Sequence, residues 1–129
     1  MPDSILIIEN DPTLREELAS AFSEAGFLIT VMPDYSAALP KLNQFKADLV
    51  IVDAVLPSMD GREACQQIRS TLGIPVVLLG EDYSDEAWEK ALQADAILYQ
   101  AKPFSYRILV ARVKATLRRY KARRQQPYQ

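Results

Sequence analysis

The chain contains no histidine and a single cysteine, Cys65, among its 129 residues. Without histidine there is no His-based catalytic triad and no internal phosphohistidine, and a zinc centre would lack its usual ligands. One thiol cannot form an intrachain disulfide, which fits a reducing cytoplasm. No apolar run approaches the ~18 residues of a membrane span, and Met1-Pro2-Asp3-Ser4 has neither the basic nor the apolar region of a signal peptide. The expectation is therefore a cytoplasmic protein with no membrane partner. Internal repeats, low-complexity blocks and long linkers are also missing. At 49% apolar and 25% charged residues, the composition is that of one ordinary globular domain.

Acids run out along the chain. Up to Ala101 there are seventeen acids and six bases, whereas from Lys102 onward there are nine bases and no acid. The run Arg118-Arg119-Tyr120-Lys121-Ala122-Arg123-Arg124 reads as a solvated helix face or a linker rather than a nucleic-acid arm, because the overall acidity argues against DNA as the main ligand.

Apolar runs and helical periods alternate. Ile5 to Ile8 reads as a buried strand, and Asp11 followed by Pro12 gives an N-cap and a first-turn proline. Leu14, Leu18, Ala21, Phe22 and Ala25 then repeat at helical spacing until Gly26. Phe27 to Val31 suits a second strand. Asp34 or Ser36 can open a short helix holding Ala38, Leu39, Leu42 and Phe45, which Pro40 should kink or delay. Leu49-Val50-Ile51-Val52-Asp53 is the third strand, followed by a turn marked by Pro57 and Gly61 and by a helix from about Arg62 to Leu72 that stops at Gly73. Pro75 to Leu79, a helix from about Ser84 to Ala94, Ala96 to Tyr99, and a long helix capped by Ser105 complete the series. Strands without polar alternation suit a sheet covered on both faces, so the pattern predicts an α/β fold with five parallel strands and five helices.

In such a fold Glu9, Asn10, Asp53, Gly80 and Lys102 lie just beyond strand ends and converge on the crevice where open α/β sheets bind ligands. Oxygen donors beside a lysine make a candidate site for a divalent cation and a phosphoryl group. For Asp53 alone, capping a loop or pairing with Lys102 is the simpler reading.

The ordered set Ile5 to Pro12, Asp48 to Asp53 with Leu56-Pro57 and Asp60-Gly61, Ile74 to Val77, and Lys102-Pro103-Phe104 resembles the receiver domains of two-component response regulators, over roughly residues 4 to 120. The resemblance implies a single doubly wound, flavodoxin-like sheet of order 2-1-3-4-5, with the receiver over 1–121. Residues 122–129 would then form a basic tail or the start of a linker to a missing effector domain. It implies that Asp53 accepts a phosphoryl group from a sensor histidine kinase, that Lys102 binds a phosphoryl oxygen, and that Mg²⁺ is held by Glu9, Asn10, Asp53 and the Val55 carbonyl. The Lys102-Pro103 peptide is expected to be cis. The final helix is similar to those of receivers that precede a winged-helix DNA-binding domain. A homodimer through the fourth helix, fifth strand and fifth helix is a further implied partner.

Several residues depart from the family pattern. Asn10 stands where a second acid is usual, which should weaken metal affinity. Gly80 stands where Ser or Thr usually supplies a switching hydroxyl, and Glu81 follows at a place that is commonly small. Glu81 could repel an anionic donor, reach Lys102, or simply face solvent. Tyr99 matches the aromatic whose rotation reports phosphorylation in relatives, and it reads equally as an ordinary half-buried packing residue, since without a hydroxyl at position 80 it lacks the usual link to Asp53. Ile108 and Leu98 occupy positions where related chains often carry acids, leaving Arg112 without its usual partner.

Two functions follow from these residues. One is a receiver phosphorylated on Asp53 with weakened metal binding and altered switching. The other is a phosphorylation-independent interaction module that keeps the fold. An enzyme is not expected: aspartate-nucleophile phosphatases need an acid two residues after the nucleophile, where this chain has Val55, and no hydroxyl-rich loop follows the first strand to bind a flavin phosphate.

Overall fold

Five short apolar segments pair side by side, all parallel, in a computed structural model that describes residues 2–124. They are Ser4–Ile8 (β1), Leu28–Met32 (β2), Leu49–Asp53 (β3), Val76–Gly80 (β4) and Leu98–Ala101 (β5), in the order β2-β1-β3-β4-β5. Between them lie Pro12–Glu24 (α1), a broken helical segment over residues 35–45 (α2), Gly61–Leu72 (α3), Asp85–Gln93 (α4) and Tyr106–Arg124 (α5). The sheet order and the five helical segments agree with the expected fold. Of the tail expected over 122–129, residues 125–129 lie outside the described residues.

The unbroken apolar strands split their side chains between two cores, as the two-residue period of a pleat requires. Ile5, Ile7, Leu49, Ile51, Val77 and Leu79 point to one face, where Leu18 and Phe22 of α1 and Leu109, Val113 and Leu117 of α5 cover them. Leu6, Ile8, Val50, Val52, Val76 and Leu78 point to the other, under Ala38 and Leu42 of α2, Ala64, Cys65 and Ile68 of α3, and Ala91 of α4. Each fully buried aliphatic side chain contributes roughly 1.5–3 kcal/mol relative to an exposed one, which holds both layers on the sheet. Burial also pushes the Cys65 thiol up to about 11. Only β2, at one edge, is largely open to solvent.

The helix ends follow local chemistry. Asp11 accepts hydrogen bonds from the Thr13 and Leu14 amides, Ser84 accepts one from Ala87, and Gly73 adopts the left-handed conformation that closes α3. Pro40 breaks α2 into Tyr35–Ala38, a tight turn Leu39–Lys41, and Leu42–Phe45. Asp34 precedes that segment, but its carboxylate accepts from the Ser36 hydroxyl and the Ser58 amide instead of capping the helix.

Three strands begin later than the sequence predicts. The Phe27 amide still bonds back to Phe22 and the Ala96 amide to Ala91, so both residues finish helices before pairing begins. Pro75 has no amide to give to the ladder, although its carbonyl accepts from Val50. The consequence for β5 is a two-residue shift that carries the strand to Ala101, opposite Gly80, with Lys102 immediately beyond it.

Candidate functional site

The carboxyl ends of β1, β3 and β5 bring three charged side chains into contact. The Lys102 ammonium donates to Glu9 Oε1 at 3.2 Å and to Asp53 Oδ2. Glu9 and Asp53 are buried, with 2% and 6% of their surfaces exposed. Each remaining carboxylate oxygen is also held by backbone: Glu9 Oε2 accepts from the Asp11 amide at 3.1 Å, and Asp53 Oδ1 from the Val55 amide at 2.8 Å. Buried charges persist only when paired and hydrogen-bonded in this way.

Their electrostatics follow from that packing. Burial, reinforced by the neighbouring Asp53 carboxylate, pushes Glu9 up to about 7. Burial opposes the Lys102 ammonium too, but the hydrogen bond and charge of Asp53 outweigh it, together with Glu9, and raise its pKa. Lys102 is therefore a fixed positive charge at neutral pH.

The chain around the three groups is tightly tied. The Ala54 amide donates to Leu79, the Gly61 amide to Ala54, and the Lys102 amide to Gly80 at 2.6 Å. The Lys102-Pro103 peptide is cis. Two contributors were not evident from the sequence. Arg15 donates from Nη1 to the carbonyls of Glu9 and Asn10, at 2.9 and 3.3 Å, and so fixes the loop after β1. Gly61 marks a turn in the sequence, but a β-carbon there would stand 2.0 Å from the Asp53 carbonyl oxygen and 2.7 Å from the Ala54 Cα. Its signal was a glycine opening a helix directly after an N-cap aspartate.

A cavity of about 300 Å³ opens above these groups, lined by Glu9, Asn10, Asp11, Asp53, Val55, Gly80, Glu81 and Lys102. It gathers the sequence-predicted residues except Tyr99. Asn10 and Glu81 are exposed on its wall, and Val55 is exposed beside Asp53. Glu81 is exposed at the rim, while the Lys102 ammonium is bonded to Glu9 and Asp53. An adjoining cavity of about 560 Å³ shares Asp11, Glu81 and Lys102 and adds Glu17, Phe104 and Tyr106.

The donor chemistry fits a hard divalent cation. Two carboxylates, one amide and one carbonyl are all oxygen donors, and the Lys102 ammonium already lies against both carboxylates, as a cation would. Among the described residues no three acidic, cysteine or histidine side chains form a closed metal cage. Water would have to complete the shell, as Mg²⁺ prefers.

Tyr99 is outside the lining of the cavity above Asp53, with its ring beside Gly80. It is 4% exposed, donates from its hydroxyl to the Asp82 carbonyl at 2.8 Å, and packs edge-on against Trp88 with ring centroids 5.6 Å apart. On the outer face of β5 and α5, Ile108 is 55% exposed and Leu98 half-buried, and Arg112 Nη1 donates to Gln100 Oε1 at 3.1 Å within its own chain.

Comparison with known proteins agrees with this geometry. Residues 5–114 match the model of the response regulator receiver domain. The chain is 37% identical over 116 residues to the sensory transduction protein RegX3 of Mycobacterium tuberculosis, an alignment covering 90% of this chain and 51% of that one. It is likewise 37% identical over 119 residues to the DNA-binding response regulator MtrA of Mycolicibacterium smegmatis, covering 92% and 52%. The chain thus spans about half the length of the curated relatives it matches. A solved two-component response regulator from Clostridium difficile superposes with a TM-score of 0.86 at 31% identity, over 92% of this chain and 98% of that one.

Proposed function

The chain belongs to the response regulator receiver domain family, and from that premise we propose that Asp53 accepts a phosphoryl group from the phosphohistidine of a sensor histidine kinase. The observation that carries the reading is the Lys102 ammonium bonded to both Glu9 and Asp53 beneath an open cavity. An Asp53 oxygen attacks phosphorus, an O–P bond forms, the N–P bond of the donor breaks, and the imidazole leaves with the electron pair. Lys102 stabilises the charge that develops on the phosphoryl oxygens. The Val55 amide keeps the carboxylate oriented for attack.

Glu9, Asn10, Asp53 and the Val55 carbonyl are the groups that would hold Mg²⁺. When bound, the ion supplies positive charge against the phosphoryl oxygens. Asn10 contributes an amide where an acid would add a negative charge, so metal affinity is weakened.

Incubation with Mg²⁺ and a small acyl-phosphate donor should add one phosphoryl mass that Asp53→Asn abolishes. No added mass, with excess donor and with the candidate kinase, would sink the proposal. A phosphorylation-independent interaction module would then be the better reading. One observation already favours that second reading: the Tyr99 ring fills the space beside Gly80. Its docking face would be α4, β5 and α5, where Leu92 and Ile108 are exposed and a second copy of the chain could pair through apolar contacts. MtrA is a DNA-binding response regulator, and residues 122–129 would form a basic tail or the start of a linker to an effector domain.

A further inference from the structure

We infer that the missing side chain at position 80 locks Tyr99 inward and fixes the start of α4, so that the face carrying Trp88 and Leu92 keeps one arrangement whether Asp53 is loaded or bare. An ideal β-carbon on Gly80 would stand 2.2 Å from the Tyr99 hydroxyl oxygen and 2.8 Å from both Cε1 and Cζ of its ring. Carbon atoms pack best at about 3.5–4.0 Å, so the ring and any side chain at position 80 exclude one another. The ring is therefore buried because residue 80 is glycine.

The lock reaches α4 through a chain of hydrogen bonds. The Tyr99 hydroxyl donates to the Asp82 carbonyl, the Asp82 carboxylate accepts from the Ser84 amide at 2.8 Å, and the Ser84 hydroxyl caps the Ala87 amide. A second tie holds the same loop, since the Tyr83 hydroxyl donates to the Pro103 carbonyl at 2.8 Å. Trp88, one turn into α4, rests edge-on against the Tyr99 ring. Position 80 lines the cavity above Asp53 but sends no side chain into it. A charge added to Asp53 consequently has no group at position 80 to pull, and the loop stays under the control of Tyr99.

The inference rests on the proposed function only in naming Asp53 as the loaded residue. Trp88 is the single tryptophan, so its emission and its quenching by acrylamide report the lock in the full chain. After loading with Mg²⁺ and an acyl-phosphate donor, with phosphoryl mass followed in parallel, wild-type quenching should not change. Gly80→Ala should raise it about twofold in the bare protein by expelling Tyr99. A wild-type change on loading as large as that of Gly80→Ala overturns the inference, as does Gly80→Ala with wild-type quenching. If Gly80→Ala does not fold, Gly80→Ala/Tyr99→Ala decides. It should fold as well as Tyr99→Ala alone, and failure to do so shows that the ring is not the obstacle. Absence of phosphoryl mass defeats the phosphoacceptor reading instead, and the Gly80→Ala comparison on bare protein still tests the lock.

Discussion

The two sides of the Asp53 crevice are built on different principles. At the carboxyl ends of β1, β3 and β5 the site is a set of charges, with Glu9, Asp53 and Lys102 bonded to one another and to nearby amides. On the β4 side it is a matter of volume, with a glycine, an aromatic ring in the space next to it, and a loop fastened to that ring. In the proposed function the phosphoryl chemistry belongs to the charged side and needs nothing from residue 80. In the inferred lock the surface is held by the volume side and needs nothing from Asp53. Taken together, the two proposals make reaction and readout, which one hydroxyl could link, separable.

The largest predicted effect strikes the point where the charged side is most crowded. Gly61→Ala would put a methyl group 2.0 Å from the Asp53 carbonyl oxygen, with backbone atoms on each near side and no flexible side chain to move. The cost should be about 3 kcal/mol of stability, read as a lower denaturant midpoint, and phosphoryl uptake should fall with it. A variant with wild-type midpoint and uptake would mean that the β3–α3 loop is not what positions Asp53. The charged side would then be looser than its hydrogen bonds suggest.

A smaller effect should appear in the pH dependence of metal-free protein. Burial beside Asp53 raises Glu9 to about 7 from an ordinary value near 4.5, so the fold binds this proton more tightly than the unfolded chain does. That contribution is complete below pH 4.5 and is lost as the pH rises toward 7. In a chelating buffer, the stability of Glu9→Gln relative to wild type should therefore climb between pH 4.5 and 7 by on the order of 3 kcal/mol and then level off. A flat difference across that range would show that Lys102 fully compensates the ionised Glu9, and that the charged side carries no excess negative charge for a cation to neutralise.

Much of the charged side was legible in the sequence because it follows from strand ends. An apolar run that stops at Glu9 or at Asp53 must deliver that polar residue to the same edge of a parallel sheet, and Lys102 joins them because β5 runs two residues past Tyr99, through Gln100 and Ala101. The strand starts were less legible. Phe27 and Ala96 look like strand residues by type, yet their amides are already committed to the preceding helices. The volume side was legible only as an absence. Gly80 without a hydroxyl and Tyr99 as an aromatic could be read separately, but their mutual exclusion depends on the pairing of β4 with β5, which puts Gly80 opposite Ala101 and Tyr99 opposite Leu78. Arg15 gave no local sign of its role, since its targets are backbone carbonyls rather than a charged partner.

The smallest predicted effect tests whether the two sides are truly independent, because Glu81 belongs to the β4 loop but lines both cavities at the mouth of the charged side. Its carboxylate is exposed, and water and salt screen such a charge strongly. Glu81→Gln should accordingly speed phosphorylation by a small anionic donor only about twofold, and the gain should shrink as ionic strength rises. Trp88 quenching should remain that of wild type, since the Tyr99 hydroxyl is tied to Asp82 and not to residue 81. A tenfold or salt-insensitive gain would place Glu81 among the groups that act directly on the phosphoryl donor. The β4 loop would then govern the chemistry as well as the surface, and the division of the crevice into a charged side and a volume side would fail.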